Sequence, residues 1–261
     1  MSRWFLLLEK TPLSAAVNMA RDEYLFQWCC QHEAGVLRLY SWDGPSFSIG
    51  ASQKSSRAVD LEVLRREGFP LVRRITGGKT VLHDDEVTYS VVSSEAVFHR
   101  DNDLLQSYRL IATILVDALQ RLDIPAELST ARHPTLARSD QPCFSFPTPN
   151  EIEINNRKII GSAQKRNQQA LLQHGSIPFS MNYDLYARGT RMRPHRIRES
   201  MTTLNDIQPQ LTRRDLCRAL VDAFQAFMKQ PFEEFDIEAQ DTRILDALVE
   251  KYRGADWNLS M

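Results

Sequence analysis

Apolar positions along this chain recur with two periods. From 14 to 31 the residues Ala16, Met19, Ala20 and Trp28 fall near one face behind Ser14, a residue suited to capping, so the spacing predicts a helix. Strand-like runs follow at 35–42 (GVLRLYSW) and 46–51 (SFSIGA), separated by the turn residues DGPS, and the pair reads as a hairpin. FPLVRRI and EVTYSVV flank a Gly-Gly segment in the same manner. Leu104, Tyr108, Ile111, Leu115, Leu119 and Leu122 keep helical spacing, which predicts a long amphipathic helix over about 103–122, ending before Ile124-Pro125.

Beyond that helix, residues 130–150 carry four prolines and no periodicity, the mark of an extended loop. Loops of such length inside a compact domain are usually functional or mobile. NEIEINNRKIIGSAQ alternates around Ile152 and Ile154, turns at Asn155-Asn156 and resumes at Ile159, a second hairpin signal. ALLQHGSIPF reads as a buried strand. Thr212 caps a helix with Leu216, Ala219, Leu220, Ala223, Phe224 and Phe227 on one stripe. No repeat or interdomain linker interrupts the chain. The expected architecture is one α+β domain over 1–261, a mixed β-sheet flanked by helices, with a helical C-terminal end from about 212.

Composition narrows the function classes. With 261 residues and 43% hydrophobic content the chain can bury a sizeable core as a globular protein. The apolar run near the start is broken by Glu9 and Lys10, too early for a signal core or a membrane span, so the expected compartment is the cytoplasm and no membrane partner is expected. Four cysteines (Cys29, Cys30, Cys143, Cys217) form no disulfide framework, and any cysteine chemistry should involve a free thiol. A net charge of −1 supplies no field for nucleic acid. The local basic run RMRPHRIRES (191–200) is either solvated surface or a contact for a compact acidic protein domain.

Several residues could carry chemistry. Burying a charge without a partner is costly, so adjacent Arg73 and Arg74 after an apolar run imply surface exposure or a waiting anionic or carbonyl partner. Gly77-Gly78 is either a tight turn or a close backbone approach to a ligand. His83 precedes Asp84, Asp85 and Glu86, but consecutive residues point different ways and no second ligand cluster has standard spacing, so no metal is expected. Cys143 is either a small buried hydrophobe or, given its place in the proline-rich loop, a nucleophile. Lys158 is an exposed turn-side lysine, or, beside a thiol, a group that stabilises the thiolate or acts as a base. His174 can be a satisfied core histidine or a pocket donor.

Taken in order, NMARDE (18–23), LRLYSW with SIG (37–50), RRITGGKTVLHDDEVTYS (73–90), CF at 143, KIIGSAQKR (158–166) and LLQHGSI (171–177) resemble the biotin/lipoate-protein ligase superfamily. Within it the chain is most similar to the bacterial octanoyltransferases that load the glycine-cleavage H protein, from about residue 3 to the pairs at 251 and 257. The resemblance implies a tunnel for a medium-length acyl chain, shaped by Arg73, Arg74, Gly77, Gly78 and His83, with Ser162, Ala163 and His174 on its far wall. It also implies Lys158 at the reacting carbonyl and Cys143 as the nucleophile.

Two chemistries share such a pocket. A ligase activates free lipoate with ATP, whereas the transferase takes octanoate from acyl carrier protein onto its own cysteine and passes it to a lysine of a lipoyl domain, with no cofactor. Ligases of this type usually carry a third glycine in the turn and Gly-Asn after the His-Asp; here Lys79 and DDEVT stand there. They often have an added C-terminal domain, for which the residues after the 212–229 helix leave too little room. These departures, with Cys143, favour the transferase over an ATP-dependent lipoate-protein ligase, and over a relative that binds lipoate or lipoyl domains without turnover.

Overall fold

The computed structural model describes residues 2–94, 104–129 and 151–260. In chain order the elements are β1 (Arg3–Leu8), α1 (Ala15–Cys29), β2 (Ala34–Tyr40), β3 (Ser46–Ile49), α2 (Ser55–Ala58), α3 (Leu61–Glu67), β4 (Leu71–Arg73), β5 (Val81–His83) and β6 (Glu86–Ser94). There follow α4 (Leu104–Gln120), β7 (Glu127–Leu128), β8 (Ile152–Ile154), β9 (Arg157–Arg166) and β10 (Ala170–Pro178). The last stretch holds α5 (Tyr183–Thr190), α6 (Pro194–Ser200), α7 (Leu204–Ile207), α8 (Arg213–Met228), β11 (Glu233–Glu234), α9 (Thr242–Arg253) and α10 (Ala255–Asn258).

Eight strands form a mixed sheet in the order β11-β1-β2-β6-β10-β9-β8-β7, and three form a smaller one, β4-β3-β5. Strands β2, β6 and β10 are buried throughout, because helices cover both faces of the large sheet. Side chains alternate between those faces. Leu37, Leu39, Tyr89, Val91, Leu171 and Ile177 meet α4 and α8, while Val36, Tyr40, Val92 and Leu172 meet α1 and α9. A third apolar cluster, with Phe47, Ile49, Leu82, Leu185 and Tyr186, backs the small sheet. The α+β class with a mixed sheet is therefore the observed one.

Several local expectations hold. Ser14 caps α1 and Thr212 caps α8, each accepting a backbone N–H bond. The β8–β9 hairpin turns at Asn155 and Asn156, whose φ of 51° and 59° suit the favoured two-residue turn. Phe227, placed on the α8 stripe, is 43% exposed at the helix end.

The two other hairpins do not form. β2 pairs with β1 and β6 in the large sheet, while β3 pairs with β4 and β5 in the small one. DGPS thus carries the chain from one sheet to the other instead of reversing it. Likewise β4 and β6, on either side of the Gly-Gly segment, belong to different sheets. Among the described residues no helix is long and apolar enough to cross a membrane.

Candidate active site

A narrow cavity lies where the small sheet meets the α1 face of the large one. It holds about 330 Å³ of space not filled by atoms, part of it open to solvent. Its floor is two neighbouring rows of the large sheet. From one row, which runs Arg38, Ser90, His174, Ala163 across β2, β6, β10 and β9, only His174 and Ala163 reach the cavity, and the next runs Tyr40, Thr88, Ser176, Gly161. Small residues at the β9 end leave the room. Ser48, Arg74, Val81 and His83 close the cavity from the small-sheet side, and Met19 of α1 closes one end.

Two chains of hydrogen bonds organise these walls, and both end on Arg74. Arg74 can only donate, and its Nη1 gives a bond to Ser48 Oγ at 2.6 Å. Ser48 then has its own proton for His83 Nε2 at 2.6 Å, which leaves His83 Nδ1–H to donate to Glu86 Oε1 at 2.9 Å. On the other side Arg74 Nε reaches Thr76 Oγ1 at 3.4 Å, Thr76 donates to His174 Nε2 at 2.7 Å, and His174 Nδ1–H donates to Asp22 Oδ2 at 2.7 Å. Each tautomer thus follows from the cation at the head of its chain.

The carboxylates at the far ends are buried yet ionised. Burial opposes the charge of Asp22, but bonds from His174 and Arg38 hold its carboxyl below the usual range. Glu86 behaves alike: burial is opposed by His83, Ser176 and Thr88, and the balance is downward. Burial pushes the His174 imidazole down, which suits the acceptor role of its Nε2. Arg38 is wholly buried and bridges Asp22 (2.8 Å) and Glu9 (2.9 Å). Trp42 stacks on the His83 ring at 3.9 Å between centroids.

The glycine turn sits against the cavity. Gly78 has φ of 86°, and a Cβ there would lie 3.3 Å from Ala163 Cβ. Gly50 is held closer still, since its Cβ would fall 2.1 Å from the Gly78 carbonyl oxygen. Arg74 Nη2 binds the Gly77 and Lys79 carbonyls at 3.0 Å each, so it also shapes the turn.

Of the residues singled out in sequence, Arg74, His83, Ser162, Ala163 and His174 line the cavity, Gly78 abuts it beside Ala163, and Gly77 reaches it only through its carbonyl on Arg74. Arg73 does not line it. Its guanidinium is buried among the carbonyls of Gly50, Ala51, Gln53, Trp257, Asn258 and Ser260, and it clamps the C-terminal segment to the loop after β3. Adjacent residues on a strand point to opposite sides, so only one of the two arginines can face the cavity. Both therefore find carbonyl partners within the chain itself.

Lys158 also lies apart from the cavity lining. It is three residues before Gly161 on β9, about 10 Å along the strand, and its ammonium binds Glu151 Oε1 at 2.5 Å. Cys143 and the proline-rich segment 130–150 lie outside the described residues. Among the described cysteines, burial pushes the Cys217 thiol up to about 11 and the Cys29 thiol well above its ordinary range. No group of three His, Cys, Asp or Glu among the described residues could hold a metal ion.

Sequence reasoning assigned no role to Asp22, Arg38, Ser48, Thr76, Glu86 or Glu151. Asp22, Arg38 and Ser48 do fall in the segments NMARDE, LRLYSW and SIG, so a signal was present, but their partners are distant in sequence.

Because the two chains engage Ser48, Arg74, His83 and His174, what is left for a ligand is a slot walled by Met19, Val81, Gly161 and Ala163, suited to an uncharged, apolar chain. Residues 14–225 match the lipoyl protein ligase A/B catalytic domain, and the chain belongs to that family. An octanoyltransferase from Kyrpidia tusciae is 34% identical over 270 residues, covering 97% of each chain. Another, from Oceanobacillus iheyensis, is 42% identical over 182 residues, covering 68% of this chain and 65% of that one. The chain is accordingly an enzyme, an acyltransferase.

Solved structures agree on the fold. A structure of a bi-partite lipoate protein ligase and its E2 lipoyl domain from Thermoplasma acidophilum superposes with a TM-score of 0.83 at 23% identity, covering 99% of this chain and 97% of that one. A lipoate-protein ligase A bound with ATP gives 0.81 at 24% identity, with 99% and 98% covered.

Proposed function

We propose that the protein is an octanoyltransferase of lipoate biosynthesis, working in the cytoplasm as a single catalytic unit. It takes octanoate from acyl carrier protein onto Cys143 as a thioester and passes it to a lysine of a lipoyl domain, that of the glycine-cleavage H protein. The observation that carries the reading is the apolar slot whose histidines, Ser48 and Arg74 are engaged with one another or with buried carboxylates, in a chain aligned over nearly its full length with octanoyltransferases.

In the first step the Cys143 sulfur attacks the donor carbonyl, the carrier thiol leaves, and its sulfur takes up the proton lost by Cys143. In the second, the acceptor amine attacks the acyl-enzyme, the C–S bond breaks, an amide forms and the Cys143 sulfur takes up the proton that the amine nitrogen loses. Thioester exchange is near isoenergetic and amide formation from a thioester is downhill, so neither step requires a nucleotide. Lys158, paired with Glu151, serves as a cation that stabilises the thiolate and the oxyanion of each tetrahedral intermediate.

Purified protein mixed with octanoyl acyl carrier protein should gain one octanoyl group, removable by hydroxylamine, and then octanoylate H protein without ATP. A strict ATP requirement, with the octanoyl carrier inactive as donor, overturns the proposal in favour of a ligase.

A further inference from the structure

The carboxylate beside Lys158 has an oxygen to spare. Glu151 is 7% exposed and Lys158 4%. Their backbones are fixed from both sides, since the Glu151 carbonyl accepts from Ser129 N at 2.7 Å and the Lys158 carbonyl from Thr202 N at 2.9 Å. Lys158 takes Oε1, whereas Oε2 is buried with no hydrogen-bond partner among the described residues. Leaving a buried acceptor unmade is costly, and more so for a charged group. An orphan of this kind in a folded protein calls for an explanation, and a catalytic role is one of them.

The reaction proposed above brings one further cation to Lys158, the ammonium of the acceptor lysine. We propose that Glu151 Oε2 seats that ammonium and accepts its first proton, an inference that rests on the acyl-enzyme reading. The acceptor nitrogen must shed two protons to become an amide. One passes to Glu151 and on to water after the product leaves. The other passes to the departing Cys143 sulfur, restoring the thiol. Lys158 keeps its charge throughout, so two cations share one carboxylate, one on each oxygen.

The test separates the two half-reactions. Octanoyl acyl carrier protein loads the enzyme, and the adduct is then offered either apo H protein, whose lysine is charged, or hydroxylamine, which is neutral at pH 7. With Glu151→Gln, transfer to H protein should fall about 10²–10⁴-fold, the usual worth of a positioned acid or base, a far larger loss than that in loading or in release to hydroxylamine, which read any effect passed on through Lys158. Should Glu151→Gln not fold, Glu151→Asp carries the same test, with a smaller loss that again falls most heavily on transfer to H protein. Equal losses in both half-reactions, equal losses with both nucleophiles, or undiminished transfer to H protein would overturn the assignment. A wild-type enzyme that forms no thioester adduct overturns the parent reading, and this one with it.

Discussion

Replacing Asp22 by Asn should cost the fold about 3–5 kcal/mol, the range for removing one partner of a buried ion pair. Three donors meet this carboxylate: Arg38 Nη1 on Oδ1 at 2.8 Å, and Tyr40 OH and His174 Nδ1 on Oδ2 at 2.9 and 2.7 Å. An amide keeps the volume but turns one oxygen into an NH₂ group. Whichever way it faces, a donor then meets either Arg38 or the Tyr40–His174 pair, and the wholly buried Arg38 loses one of its two carboxylates. For a chain of this size about 2–4 °C accompanies each kcal/mol, so melting should fall by roughly 6–20 °C. Urea unfolding followed by circular dichroism at pH 7 measures the free energy directly. Adding Arg38→Met removes the stranded cation, and the double variant should be less destabilised than the sum of the singles by more than about 1 kcal/mol. A single variant within about 1 kcal/mol of wild type, or strict additivity in the pair, refutes the reasoning.

Three other predictions concern catalysis and pH. Cys143→Ser should abolish turnover, and Lys158→Ala should leave a thiol near its ordinary pKa of about 8.5, slowing alkylation by iodoacetamide at pH 7; wild-type transfer by the serine variant would rule out the nucleophile. Arg193 and Arg196 flank the start of α6, whose C-terminal neighbour Thr202 bonds the Lys158 backbone, so replacing both by Glu should raise KM for protein substrates and weaken its salt dependence while sparing acylation by a small thioester. Equal losses with both kinds of donor would point to folding damage. Asp22 and Glu86 have depressed carboxyl pKa values in the fold, so the stability they contribute is complete above their unfolded values near 4 and lost as pH falls through the folded ones. Unfolding free energy measured from pH 6 to 2 should decline accordingly, and Glu86→Gln should flatten that decline; an unchanged slope would count against the assignment.

By itself the sequence determined those elements whose cause is local. Apolar spacing marks α1, α4 and α8 because a helix repeats its own buried face, and the Asn155-Asn156 turn marks the β8–β9 hairpin because two residues of positive φ close it. The same signal ran through Leu245, Leu248 and Tyr252 of α9, which went without its own assignment. Which strands pair was decided only in three dimensions. β2 and β3 look like a hairpin because a Gly-Pro turn separates them, yet each finds its pairing strands in a different sheet, and the turn permits either outcome. The site shows the same division. Arg73 and Arg74 are adjacent, and a period of two predicts that they point to opposite sides, but not that one clamps the C-terminal segment while the other heads two hydrogen-bond chains. Arg38, Ser90, His174 and Ala163 come together because strand register aligns them under α1, whose Asp22 meets Arg38 and His174, and register depends on which strands are neighbours. The chemical types needed for acyl transfer are written along the chain; their distances are set by packing.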